Sequence, residues 1–255
     1  MTARTQTPAG APSWTDLSTS DQAASLAFYS ALFGWEAETP NPELGGYANF
    51  VRKGQRVAGS MPTMNGAPDA WTVHFATDDA EWSVQVAAAS GGTVYAPVMD
   101  VMDLGRLAVL GDPGMSAFGL WQAGTHTGFP VVDEPDAPTW FELHTREYDA
   151  VIAFYCEVLG WQMNVVSDLA GFRYSTAVVG GEEVAGVMDA SGFLPEGAPA
   201  MWQVYFRTAD TDESVARAVR LGATVVDPPQ DTPYGRLATL ADPTGAIFKL
   251  RQHEA

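Results

Sequence analysis

Apolar and polar residues along this chain follow a pattern that is spelled out twice. In residues 14–35, WTDLSTSDQAASLAFYSALFGW, an alternating stretch gives way to polar residues and then to apolar positions at Leu26, Tyr29 and Phe33, the spacing of one helix face. The pattern returns 126 residues later as WFELHTREYDAVIAFYCEVLGW, with Ile152, Tyr155 and Leu159 in the matching places. Gly34 and Gly160 are expected to end the two helices, because glycine most easily takes the left-handed conformation that follows a last turn. In the first half three extended stretches follow, near 35–38, 47–52 and 57–61, separated by turns such as PNPELGG.

A weaker copy begins at Trp71. WTVHFAT reads as a strand, Asp78 and Asp79 open a helix with Trp82, Val86 and Ala89 on one face, and Gly91-Gly92 close it before strands around 93–96, 106–110 and 118–122. The second half answers in the same order. VAGVM (184–188) matches VAGSM (57–61), WQVYF (202–206) matches WTVHF (71–75), and GRLATLADP (235–243) matches GRLAVLGDP (105–113). Self-similarity in fixed order is the mark of duplication. The expected architecture is α+β, four βαβββ units, with two in a first domain (12–122) and two in a second (139–253). Residues 1–11 read as a loose tail. Residues 123–138, with three prolines, two glycines and three acids, read as a linker.

Three sets of residues carry a family likeness: AFY followed by GW at 27–35 and 153–161, Gly-Gly-Thr-Val or Gly-Ala-Thr-Val after the second helix of each half, and Asp-Pro before each final strand. With them the chain resembles the vicinal oxygen chelate superfamily, which includes glyoxalase I, bleomycin-resistance proteins and extradiol dioxygenases. The resemblance implies two tandem glyoxalase/bleomycin-resistance-like domains whose mixed sheets curl into cups, with the site on the concave face. It also implies a divalent ion in the enzymes of the family, held by His, Gln or Glu from the first and last strands of the units. Carried over to this chain, those positions are Trp14 and Trp140, Gly59 and Gly186, Thr72 and Gln203, and Gly119 and Lys249. An indole has no lone pair for a metal and an ammonium repels one, so no metal ligand and no cofactor is expected.

Strand side chains alternate between faces, so residues an even number from these positions also face the cups. For the first cup this gives Trp14, Asp16, Met61, Thr72, His74 and Trp121. For the second it gives Trp140, Glu142, His144, Met188, Gln203, Tyr205, Lys249 and Arg251. All of these except Thr72 are candidate ligand-binding residues. The paired tryptophans are either plugs packed against the helices or a stacking wall for a planar ligand. Asp16 and Glu142 either accept from a ligand or serve neighbouring side chains. Glu142, His144 and Tyr205 form either an acid-base cluster or an internal polar network. His74 is either a satisfied core histidine or a catalyst. His126, in the linker, and His253, near the end, receive no role.

Charge and cysteine content then narrow the function. Thirty-one acidic residues against thirteen basic ones give a net charge of -18, which repels polyphosphates and makes nucleic acid an unexpected partner. Cys156 is the single cysteine, so no intrachain disulfide forms and a cytoplasmic location is expected. No apolar stretch approaches the roughly 20 residues of a membrane span, and no membrane partner is expected. No phosphate-binding loop, Cys-x-x-Cys or Gly-x-Ser-x-Gly is present. The reading this favours is metal-independent binding of a planar aromatic natural product of antibiotic type, as a drug-sequestering, resistance or biosynthetic-accessory protein. The ligand is small and aromatic, and a cationic amine on it would suit the acidic surface; the protein is a monomer or a homodimer. One alternative is a metal-free lyase, isomerase or cyclase acting through Glu142, His144 and Tyr205. Another is a dioxygenase or glyoxalase-like enzyme with a displaced metal site at His74, Glu142 or His144.

Overall fold

Each Trp-to-Trp segment forms the strand and helix that its periodicity predicts. In the computed structural model, which describes residues 7–64 and 66–252, β1 (Pro12–Thr19) leads into α1 (Gln22–Phe33), and β9 (Pro138–Thr145) leads into α3 (Tyr148–Leu159). The Asp21 side chain caps α1 by accepting from the Ala24 N–H, and Gly34 and Gly160 stop the helices at φ 68° and 67°. The rest of the first half is β2 (Glu36–Ala37), β3 (Ala48–Arg52), β4 (Gln55–Pro62), β5 (Ala70–Ala76), α2 (Ala80–Ala89), β6 (Thr93–Val101), β7 (Gly105–Gly111) and β8 (Ala117–Ala123). The second half repeats it as β10 (Gln162–Leu169), β11 (Phe172–Val179), β12 (Glu182–Asp189), β13 (Met201–Arg207), α4 (Thr211–Arg220), β14 (Thr224–Thr232), β15 (Gly235–Ala241) and β16 (Ile247–Gln252).

These strands make two eight-stranded mixed sheets, ordered β2-β3-β4-β1-β5-β8-β7-β6 and β10-β11-β12-β9-β13-β16-β15-β14. In the first sheet the two βαβββ units meet at β1 and β5, which run antiparallel with Trp14 opposite His74 and Asp16 opposite Thr72. In the second they meet at β9 and β13, with Trp140 opposite Tyr205 and Glu142 opposite Gln203.

The buried stripe on the first helices is wider than three positions. Phe28, Tyr29, Leu32 and Phe33 are buried on α1, as are Val151, Phe154, Tyr155, Val158 and Leu159 on α3, while Leu26 and Ile152 are only partly covered. The cause is that each helix lies between the backs of both sheets. Tyr29 meets Phe50 and Trp71 of the first sheet and Phe248 of the second, and Phe33 meets Phe206. Tyr155 meets Trp202 of its own sheet and Phe75 and Phe118 of the other. Trp71, Val73 and Phe75 therefore point to the shared core, which turns Thr72 and His74 to the concave side.

Polar ends inside this core are paired both within each half and across the halves. Trp71 Nε1 donates to the Tyr29 hydroxyl at 2.9 Å and Trp202 Nε1 to the Tyr155 hydroxyl at 3.0 Å. The Tyr155 hydroxyl in turn donates to Asp112 Oδ2 of the first half at 3.1 Å. The Gly-Trp tryptophans also reach across. Trp161 Nε1 donates to the Gly10 carbonyl at 2.7 Å, and Trp35 Nε1 donates to the Asp136 carbonyl at 2.8 Å.

Those two bonds correct the expectation of a loose tail for residues 7–11, and they tie down the linker. Thr7 and Ala11 are buried, and the Gly10 N–H donates to the Ala76 carbonyl. In the segment between the sheets, Phe129 is buried and its N–H donates to the Ser13 carbonyl. Proline content marked these stretches as irregular, but irregular backbone with paired amides packs as firmly as a strand. Residues 1–6 of the expected tail, and His253, lie outside the described residues. Among the described residues no helix is long and apolar enough to cross a membrane.

Burial pushes the Asp112 carboxyl up to about 6, against hydrogen bonds from the Ser116 backbone, the Tyr155 hydroxyl and the Gly114 backbone. An acid whose pKa is raised on folding favours the folded state below its unfolded pKa and loses that contribution as pH climbs to the folded one. Stability is therefore expected to fall between about pH 4 and pH 6, by up to a few kcal/mol. In Asp112→Asn this part of the pH dependence should be absent from chemical denaturation curves, while the turn at Gly114 and Ser116 persists.

Candidate functional site

One carboxylate lies at the centre of each concave face, and each is bound by the same chain of donors. In the first cup Trp14 Nε1 donates to the Tyr47 hydroxyl at 2.8 Å, and that hydroxyl donates to Asp16 Oδ1 at 2.5 Å. In the second, Trp140 Nε1 donates to the Tyr174 hydroxyl at 3.2 Å, which donates to Glu142 Oε2 at 2.9 Å. Both tryptophans thus point into the cups, and their indoles orient a tyrosine. Tyr47 and Tyr174 are site residues that the alternation pattern missed. Their signal was present, since each stands twelve residues ahead of the glycine in VAG, Gly59 or Gly186.

The tyrosines also explain those glycines. A Cβ on Gly59 would sit 1.9 Å from the Tyr47 hydroxyl oxygen, and one on Gly186 would sit 2.2 Å from that of Tyr174. Across the first cup, a Cβ on Gly119 would fall 1.9 Å from His74 Nδ1. The glycines are spaces filled by a neighbour's side chain.

From this common base the two cups diverge. In the first, His74 Nε2 lies 2.8 Å from Asp16 Oδ2, although its N–H is not well aligned, and both nitrogens of the buried ring lack a hydrogen-bond partner among the described residues. Burial raises the Asp16 pKa, but the nearby charge of His74 and the bond from Tyr47 bring it below the usual carboxylate range. The segment between the sheets covers this cup. The His126 ring meets Trp14 edge-on at 4.6 Å, Phe129 lies 5.2 Å from Trp14, and Trp121 Nε1 donates to the His126 carbonyl at 2.9 Å. Trp14 is left 4% exposed, with its indole under His126 and Phe129 on the concave side and not against a helix. His126, given no role on sequence grounds, forms this cover. Met61 remains partly exposed at the edge beside Ser18.

The second cup has no such cover from the segment between the sheets. A cavity of about 150 Å³ opens over Trp140, Glu142, Tyr174 and Tyr205, with Val166, Thr176, Glu183, Tyr234, Leu237 and Arg251 around it. Glu142 Oε1 accepts from the Tyr205 hydroxyl at 2.7 Å and pairs with His144 Nε2 at 2.7 Å, while Oε2 takes the Tyr174 bond. Burial would raise this carboxyl, but the bond and charge of His144, the charge of Lys249 and the bond of Tyr205 hold it at about 2. Burial and the Glu142 charge push both tyrosine hydroxyls well above their usual range, so they stay protonated donors. Lys249 Nζ stands 5.1 Å from the centre of the Tyr205 ring. Phe193 packs edge-on against His144 at 5.4 Å, and Met188 lies next to His144 in register. Gln203 is buried beside Glu142, with its Oε1 unpartnered.

Neither cup suits a divalent ion. The described residues contain no group of three or more His, Cys, Asp or Glu placed to share a metal, and His144 is turned to Glu142. The Lys249 ammonium adds a positive charge on the concave side of the second cup.

Two cupped mixed sheets of paired βαβββ units, each with its polar centre on the concave face, define a glyoxalase-type scaffold, and the chain belongs to the Glyoxalase/Bleomycin resistance protein/Dioxygenase superfamily, whose model matches residues 137–250. It is 38% identical to a Mycobacterium tuberculosis protein named "Putative glyoxylase CFP32", over 98% of this chain and 97% of that one. It is also 38% identical to the anthracycline biosynthesis protein DnrV of Streptomyces peucetius, over 94% of this chain and 92% of that one. Among solved structures it is similar in fold to the Mn(II)-bound glyoxalase from Novosphingobium aromaticivorans, with a TM-score of 0.66 and 16% identity over 96% of this chain and 82% of that one.

Because its pKa is depressed on folding, Glu142 contributes stability that is fully present above its unfolded pKa and is lost as pH falls toward 2. Acid unfolding of the native chain should therefore steepen between about pH 4.5 and pH 2. Glu142→Gln should weaken the protein at neutral pH by roughly 1–3 kcal/mol, because an amide cannot accept all three bonds, and should remove that acid limb. Urea titrations from pH 2 to 7 check both expectations.

Proposed function

We propose that the protein binds a planar, fused-ring aromatic molecule in the second cup without a metal ion. The observation that carries this reading is the aromatic surface that starts inside the cavity and continues beyond it. Trp140, Tyr174 and Tyr205 form the base. Phe172 stacks on Tyr174 with ring planes 8° apart at 6.2 Å, and exposed Tyr234 and Val166 extend the wall outward. A space of this volume holds about one benzene-sized ring. A polycyclic ligand would place one end in the cavity and lay the remainder along the exposed rim. Each aromatic contact contributes about 0.5–1.5 kcal/mol beyond the area it buries.

The likeness to an anthracycline biosynthesis protein supports the same class of ligand, since the covered length is nearly the whole of both chains. A role in sequestering such a molecule or presenting it to a biosynthetic partner follows from a cup that can bind without turning over. The acid-base alternative is weakened at Glu142. Its lone pairs are occupied by three protein donors and its affinity for a proton is low, both of which oppose service as a general base near neutral pH.

Calorimetric titration with 1,2-dihydroxyanthraquinone (alizarin) tests the reading. Binding is expected, with Trp140→Ala weakening it by about tenfold or more and Tyr234→Ala by a smaller factor. Trp82→Ala, at an exposed indole on α2, should leave it unchanged. No binding by alizarin or other fused-ring phenols, or equal effects of all three variants, would show the reading to be wrong.

A further inference from the structure

Positive charge is scarce in this chain, thirteen basic residues against thirty-one acidic ones, and most of it is spoken for. Seven arginines pair with carboxylates among the described residues. Two cations on β16 do not, and both belong to the second cup. Lys249 makes no ion pair or hydrogen bond among the described residues and has only the face of the Tyr205 ring, 5.1 Å away. Arg251 lines the cavity and spends Nε on the Tyr234 carbonyl at 2.9 Å, leaving its terminal nitrogens without a carboxylate among the described residues. Their register explains the placement. Lys249 pairs with Tyr205 across β13 and β16, and Arg251 follows two residues later on the same face.

We propose that Lys249 and Arg251 anchor an ionised hydroxyl oxygen, a phenolate or enolate, on the edge of the aromatic molecule held in the second cup; this rests on the aromatic-ligand reading above. A half-buried ammonium without a counter-ion is costly, and a ligand oxyanion would supply the missing partner. The groups around Lys249 leave that place open. Glu142 on β9 is occupied by His144, Tyr174 and Tyr205, Asp227 on β14 acts only at longer range, and Tyr205 is a neutral donor. Burial pushes the Lys249 pKa down while Glu142 and Asp227 raise it. The ligand edge then meets Lys249 and Arg251 on β16, with the ionised Glu142 at the base of the cavity and Glu183, which accepts from Asn164 and Thr176, on its wall.

Alizarin reports directly on this, because its visible absorption moves to the red when a hydroxyl ionises. The expected result with the full chain is that bound alizarin ionises at least about one pH unit lower than free dye, a tenfold preference for the anion. Lys249→Met should abolish the shift and Arg251→Gln should reduce it. Affinity for 1,2-dimethoxyanthraquinone, which cannot ionise, should change less than threefold in either variant, which also shows that the variants fold. Bound alizarin that ionises at its free pH, or a shift that survives both substitutions, overturns the anchor while leaving the aromatic-ligand reading in place. Failure of both dyes to bind the native chain overturns both.

Discussion

The structure depends on two buried tyrosine hydroxyls at the seam between its halves. Tyr29 and Tyr155 sit at the middle of helices that are covered on both sides, so their hydroxyls are cut off from water and must find partners inside the protein. Each receives an indole N–H from its own sheet, and the Tyr155 hydroxyl donates a hydrogen bond to Asp112 of the opposite half. A rigid-body shift between halves would strand a phenol and a carboxylate in an apolar core, at about 1–3 kcal/mol for each lost partner. The sheets are thereby fixed back to back. Their concave faces turn outward, and any site must be built there.

The Trp-Tyr-carboxylate chain in the cups applies the same chemistry to a different end. A buried carboxylate is tolerable only when donors surround it, and the duplicated Trp-x-acid strand brings the acid and one donor together in both halves. What differs is the opposite wall. His74 in the first cup becomes Tyr205 in the second, Gly119 becomes Lys249, and the aspartate gains a methylene as Glu142. The shorter acid stays low beneath Trp14 and under the His126 cover. The longer one reaches three side-chain donors and forms the base of an open cavity. The first cup is thus covered over Trp14 by His126 and Phe129, while the second keeps an open cavity over Trp140.

Much of this was legible in the residues because duplication doubles the signal. Strand and helix order, the glycine stops and the inward faces at Trp14, Asp16, Trp140 and Glu142 all follow from period and repetition. The misses share a physical cause. Tyr47 and Tyr174 lie on strands far from the first one, and only the fold shows that their hydroxyls fill the hollow above a glycine. His126 and Gly10 sit in proline- and glycine-rich sequence with no periodicity, where composition reports irregular backbone and says nothing about contacts. Whether a tryptophan plugs or lines a cup depends on what covers it, and that cover comes from a segment with no strand or helix pattern.

Net charge and local charge also answer different questions. A total of -18 acts through water, where fields between exposed charges fade over about 8–10 Å at ordinary ionic strength. Within the second cup the aromatic walls reduce screening, so the nearest groups dominate. There the ionised Glu142 is held by three donors, while Lys249 and Arg251 have no carboxylate partner among the described residues. An acidic exterior can keep the protein soluble and draw cations to its surface while the hollow itself favours an oxygen that carries negative charge. The anchor proposed for an oxyanion accordingly rests on β16 and its neighbours, where glycine in the first half has been replaced by lysine in the second.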